Sequence, residues 1–254
     1  MASGHTHLLH LHGHSPVHRL PAHCKLLALV TFVLVVVATP RTAFWAFAGY
    51  AVLLLAVAAV GRVPLGFLAR RVVVETPVIV FAVLLPFIAQ GPRVDVAGLA
   101  LSQSGLWSAW NVLAKATLGV VGSILLAATT DQRDLLAGLQ RLRLPNQLVQ
   151  IATFMVGYLD VITGQLGRMR IARAARGFEP RGLRSWPVLA RSAGTLFIRS
   201  YERGERVHLA MLSRGYAGSL PVLSEDRTPP AAWAAVAALP LCALLLAVGA
   251  WWTS

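Results

Sequence analysis

Two short arginine–glycine runs hold the residue types best suited to gripping a partner: Ala172-Arg173-Ala174-Ala175-Arg176-Gly177 and Met211-Leu212-Ser213-Arg214-Gly215-Tyr216. In each, an arginine stands directly before a glycine and directly after a small residue. Glycine ends a helix readily, because it enters the left-handed conformation without a Cβ penalty. An arginine one residue earlier projects its planar guanidinium past the helix end, where the fork can hold a carboxylate through two hydrogen bonds. Small neighbours such as Ala175 and Ser213 let another protein approach closely. The plainer reading is two ordinary helix C-termini whose arginines complement the helix dipole. Their occurrence as a pair in one stretch favours docking by Ala175, Arg176, Gly177, Ser213, Arg214 and Gly215.

The second cluster is His5, His7, His10, His12 and His14, spaced mostly by two. Neutral imidazoles bind zinc, nickel, copper and cobalt, and histidine-rich tracts are a compositional metal signal. The competing reading is a weakly metal-binding tail without a transport role. His208 is the only histidine beyond residue 23, so a histidine-based catalytic site lacks material. It is expected on a helix surface or at an interface. The chain has no Gly-x-x-x-x-Gly-Lys-Ser/Thr phosphate loop and no His-Glu-x-x-His, so it is not expected to hydrolyse ATP itself. No cofactor is implied. Cys24 and Cys242 read as small apolar residues rather than a disulfide or zinc site. Asp160 lies near the middle of an apolar helix, and the sequence alone does not name what would pair with it. Glu75 and Asp95 flank an apolar segment and are expected to be solvated.

These residues are set among segments that read as membrane spans. The 254-residue chain is 56% hydrophobic and 13% charged, with a mean hydropathy of +0.65. A soluble domain carries about 25% charged residues. Apolar runs cover about 26–38, 43–60, 72–89, 106–128 and 231–252. About 20 apolar residues cross the hydrocarbon, so the first run is the shortest candidate. A cleaved secretory leader over residues 1–38 is the rival for that first run. The sparse fixed cations ahead of it, Arg19 and Lys25, favour a retained span.

The net charge of +13 raises nucleic acid as a partner, but the charge is clustered: residues 131–228 hold 15 of the 23 basic residues. Clustering beside spans reads as positive-inside topology, and no nucleic-acid partner is expected. If 131–228 is cytoplasmic, the N-terminus and the connection bearing Arg62, Arg70 and Arg71 are also cytoplasmic. Only Arg41 and Arg93 then lie in outside loops, and the C-terminus is outside. Within the arginine-rich stretch, Asp131 caps a helix start. Residues 146–175 and 188–214 read as two long helices ended by Gly177 and Gly215.

The sequence resembles the transmembrane coupling component of energy-coupling-factor importers, the CbiQ/EcfT family, with the cobalt branch most similar. The likeness covers most of the chain. It rests on His18-Arg19-Leu20-Pro21 leading to Lys25-Leu26-Leu27, on Thr129-Thr130, and on Leu139-Gln140-Arg141-Leu142-Arg143-Leu144-Pro145. It continues through Ala175-Arg176-Gly177-Phe178, Arg199-Ser200-Tyr201-Glu202-Arg203, and Ala210-Met211-Leu212-Ser213-Arg214-Gly215-Tyr216. The resemblance implies an all-α integral membrane protein with about five spans and two long cytoplasmic coupling helices between the fourth and fifth. It implies two ABC-type ATPase subunits as partners, each taking one Ala-Arg-Gly-type motif, and a separate membrane substrate-binding subunit. Arg176 and Arg214 are then the coupling arginines; Ser213 stands where the family often has alanine.

The expected organisation is a histidine-rich tail (1–23), spans one to four (24–130), coupling helices (131–228) and a last span (229–254). The expected role is a non-catalytic, multi-pass subunit of a cell-membrane importer, for cobalt or alternatively for nickel or a vitamin. From a different class, a secondary carrier or channel remains the alternative.

Overall fold

Helices that are apolar on every side suit a lipid surround, because the same residue types serve the bundle interior and the acyl chains. A computed structural model describes residues 15, 17–18, 20–90, 92–96, 99–179, 182, 185–218 and 230–253. In chain order the helices are α1 (Ala22–Ala38), α2 (Phe44–Val60), α3 (Leu65–Val72) and α4 (Thr76–Ile88). They continue as α5 (Gln103–Thr129), α6 (Gln132–Arg141), α7 (Asn146–Ala175), α8 (Trp186–Leu212) and α9 (Pro230–Thr253). A one-turn 3₁₀ segment, Val73–Glu75, joins α3 to α4. Strands β1 (Arg93–Val96) and β2 (Leu99–Ser102) pair antiparallel between α4 and α5, with Arg93 opposite Ser102. This hairpin is the one departure from an all-helical membrane protein among the described residues. Its β-branched Val94 and Val96 around Asp95 fit a strand better than a helix.

Among the described residues, four stretches are long and apolar enough to cross a membrane: Gly66–Ile88, Gln103–Thr129, Asn146–Ala175 and Ala232–Thr253. Helices α1 and α2 are apolar but only 17 residues each, about 25 Å at 1.5 Å per residue. Each of the five expected apolar runs is helical, three of them within stretches long enough to cross, with shifted starts. The first begins at Ala22 and includes Lys25; the third is a broken helix that starts in α3. Helix α7 also qualifies by length and composition, whereas its arginine-rich C-terminal part led the sequence to place it outside the spans.

The chain falls into two compact units, one within Leu9–Gly138 and Asp226–Ser254, the other within Leu139–Glu225; the division runs through α6. In the first unit Phe32, Phe47, Tyr50 and Leu54 of α1 and α2 are buried against Leu118 and Leu125 of α5 and Ala243, Ala247 and Ala250 of α9. Small residues four and three apart let α9 approach its neighbours, the usual means of close packing between membrane helices. A Cβ on Gly249 would stand 2.9 Å from the Trp45 ring, and one on Gly105 would stand 2.7 Å from Pro86 Cα, in the α4–α5 contact. Buried hydroxyls are paired, as they must be away from water. Thr39 donates to the Val35 carbonyl at 2.9 Å, which leaves the Tyr50 hydroxyl to donate to Thr39 at 2.8 Å.

Glu75 corrects the sequence reading. It is not solvated but 2% exposed, at the 3₁₀ break, and Thr117 of α5 donates to its Oε1 at 2.8 Å. The break turns the side chain inward, against α5, where a continuous helical reading placed it at a flank. Lys115, within α5, donates to the Val37 carbonyl at the end of α1 at 2.8 Å. Lys25 joins α1 to the end of α5, donating to the Thr129 carbonyl at 2.9 Å and to the Thr130 hydroxyl at 3.2 Å. Asp131, placed as a cap, accepts from the Gln132 N–H at 2.7 Å at the start of α6.

Candidate functional site

Both arginine–glycine runs close helices, and they close them in the same way. At the end of α7, Gly177 has φ +73°; its N–H bonds to the Ala174 carbonyl at 3.0 Å, and the Phe178 N–H bonds to the Arg173 carbonyl at 3.1 Å. At the end of α8, Gly215 has φ +84°; its N–H bonds to the Leu212 carbonyl at 3.0 Å, and the Tyr216 N–H bonds to the Met211 carbonyl at 3.0 Å. This is the Schellman closure, with glycine in the left-handed position and the residue after it bonding back five residues. Position for position, Arg176 matches Arg214, Gly177 matches Gly215, and the aromatic Phe178 matches Tyr216.

The closure decides what faces outward. Ala175, Arg176, Gly177, Ser213, Arg214 and Gly215 are all exposed, while Phe178 and Tyr216 are half-buried. A Cβ on either glycine would meet nothing within 4 Å, so glycine is required by backbone conformation and not by crowding. Each end thus presents a guanidinium on a small, open, rigidly closed turn.

The two helices hold each other by reciprocal ties. Arg173 Nη1 donates to Ser192 of α8 at 2.9 Å, near the first run. The Tyr216 hydroxyl donates to Gln150 Oε1, and Gln150 Nε2 donates to the Gly218 carbonyl at 2.9 Å, near the second run. His208 packs edge-on to the Tyr216 ring, with centroids 6.5 Å apart. Between the ties, Tyr158 and Ile162 of α7 and Arg203 and Val207 of α8 line a groove of about 470 Å³. The end of α8 therefore sits beside the first turns of α7, and the pair is antiparallel. Gln150 and Ala175 are 25 positions apart on α7, which separates the two closed ends by roughly 37 Å along the helix axis.

The structure brings all six docking candidates to two matched surfaces. It does not bring them to one point. His5, His7, His10, His12 and His14 lie outside the described residues, and among the described residues no group of three or more His, Cys, Asp or Glu side chains could hold a metal ion. Gln150 was missed in the sequence. It is one polar residue in a mostly apolar run, and its partners are 66 and 68 positions away. Lys115 was also missed, although a lysine inside an apolar span is itself a signal.

Comparison with known proteins gives a consistent result. The family model for CbiQ, cobalt transport protein, matches residues 13–224. The chain is 32% identical over 193 residues to the cobalt transport protein CbiQ of Rhodobacter capsulatus, covering 74% of this chain and 75% of that one. It is 25% identical over 223 residues to the energy-coupling factor transporter transmembrane protein EcfT of Bacillus subtilis, covering 81% and 82%. A similar EcfT from Thermosediminibacter oceani is 25% identical over 232 residues, covering 85% and 84%.

Proposed function

The chain belongs to the CbiQ family of cobalt transport proteins, and we propose that within it the chain is the non-catalytic coupling subunit of an ATP-driven importer. The observation that carries this reading is the pair of matched, exposed, arginine-tipped helix ends on one antiparallel helix pair. Two like surfaces at a fixed separation suit two like partners, such as a pair of ABC-type ATPase subunits. Each guanidinium would hold a carboxylate in a groove of one ATPase through a bidentate, charge-assisted contact. Closure of the ATPases on ATP would draw the two ends with them. Helices α7 and α8, lying along the cytoplasmic membrane face, would pass that motion to a membrane subunit that binds the substrate.

Cobalt is the proposed substrate, since the R. capsulatus relative is named a cobalt transport protein; nickel or a vitamin are the alternatives within the same mechanism. The proposed site is the plasma membrane with the N-terminus in the cytoplasm, from the distribution of arginines. The absence of a phosphate-binding loop from the sequence supports reliance on partner ATPases.

Charge reversal tests the proposal. Removing one partner of a buried interfacial charge pair costs about 2–5 kcal/mol, and Arg176→Glu or Arg214→Glu should cost at least that at its docking site. Each should reduce co-purification of ATPase subunits and substrate uptake, and the double variant should abolish both while still reaching the membrane. Arg206→Glu, on the exposed surface of α8, is the control and should be mild. Full ATPase retention and uptake in both single variants would leave two plain helix caps and no coupling role.

A further inference from the structure

In the membrane-embedded unit, α1, α2, α5 and α9 leave a groove of about 410 Å³ between them. Its walls are apolar, including Leu29, Val57, Leu126 and Leu239, and Lys25 is the only charged residue among those described as lining it. Ala235, Ala238 and Cys242 of α9 also line it and are exposed, so the groove opens to the surrounding bilayer.

Lys25 is 9% exposed, and among the described residues its ammonium bonds only to neutral groups: the Thr129 carbonyl at 2.9 Å, the Thr130 hydroxyl at 3.2 Å and the His18 carbonyl at 3.5 Å. The Asp134 carboxylate acts on it through space, without a direct bond. A buried cation without a contacting anion is costly. The bond to His18 is at the limit of hydrogen-bond length, so one of the three ammonium donors is available for a better acceptor.

We propose that this groove binds an anionic phospholipid. One acyl chain lies along the apolar walls, and the phosphate accepts from Lys25 at the rim. Charge complementarity selects this occupant: an uncharged hydrocarbon or an apolar helix from a partner would fill the walls and leave the ammonium as it is. A zwitterionic lipid supplies a phosphate but adds a cation beside Lys25, so it binds less well.

The full chain carrying Cys24→Ala, Cys242→Ala and Ala234→Cys would be labelled with a fluorophore at position 234, exposed on α9 beside the groove and not lining it, and reconstituted into phosphatidylcholine vesicles. Dibrominated phosphatidylglycerol or dibrominated phosphatidylcholine is then titrated in, and quenching reports lipid in the groove. One basic residue at a membrane surface favours an anionic lipid by about 1 kcal/mol, or roughly five-fold in relative association. A preference of that order for phosphatidylglycerol is the expected result. Lys25→Arg should keep it and Lys25→Gln should bring the ratio to one. Ala235→Phe/Ala238→Phe, which fills the groove and keeps Lys25, should also abolish the preference. Equal quenching by both lipids in the unsubstituted groove overturns the proposal; so does a preference that survives either Lys25→Gln or the filled groove.

Discussion

At the scale of single residues, the two glycines and the arginines before them do separable jobs. Gly177 and Gly215 set the turn, and Arg176 and Arg214 occupy the surface the turn presents. An L-residue with a Cβ pays about 1–2 kcal/mol in the left-handed region. Gly177→Ala and Gly215→Ala should therefore loosen the helix ends without any steric clash. The expected outcome is faster amide exchange at Phe178 and Tyr216, with ATPase co-purification reduced less than by the arginine reversals. Tyr216→Phe removes the hydroxyl that bonds Gln150 but keeps the ring beside His208. It should speed exchange around Gly218 and leave Phe178 unchanged. The helix-ending role of both glycines was legible in the sequence, because an arginine–glycine pair after a long helical run has few other conformational uses. The tie from Gln150 was not, because nothing local marks which polar residue of a helix will meet a side chain 66 positions later.

At the scale of elements, the long helices and apolar spans followed from periodicity and length, and their limits moved by a few residues. What could not be read was the break in the third span. Val73-Val74-Glu75 looks like the edge of an apolar run, yet it is a 3₁₀ turn that carries Glu75 inward to Thr117. Burial of that carboxyl is a property of α5 as much as of its own segment. The hairpin before α5 was hidden for a similar reason: four-residue strands are too short to show a period. The α4–α5 contact offers a direct test of packing at this scale. A Cβ at Gly105 would stand 2.7 Å from Pro86 Cα and 2.8 Å from the Leu85 carbonyl oxygen. Backbone cannot yield as a flexible side chain can, so Gly105→Val should destabilise the bundle by about 1–3 kcal/mol, read as a lowered Tm in detergent. Gly119→Ala on the same helix meets nothing within 4 Å and should be neutral or slightly stabilising.

At the scale of the whole molecule, the arginine distribution predicts a sidedness that labelling can check. A cysteine placed at position 184 should react with an impermeant maleimide only in inside-out vesicles, and one at position 97 only in intact cells. Labelling of position 184 from outside would reverse the orientation. Deleting residues 2–15 should lower metal retention by the isolated protein and leave ATPase binding intact; unchanged metal retention would remove the histidine-rich tail from consideration. The likeness of the two helix ends carries a consequence for assembly. Because turn geometry, charge and following aromatic agree at both, a partner shaped to seat on one can seat on the other. A single ATPase species could then occupy both positions, while two different ATPases would need another means of choosing sides. Asymmetry lies in the flanks, where Ala174 and Ala175 precede Arg176 and Leu212 and Ser213 precede Arg214, and in the residue after the aromatic, Glu179 against Ala217. Exchanging those flanking pairs should leave the number of bound subunits unchanged and alter only which one sits where.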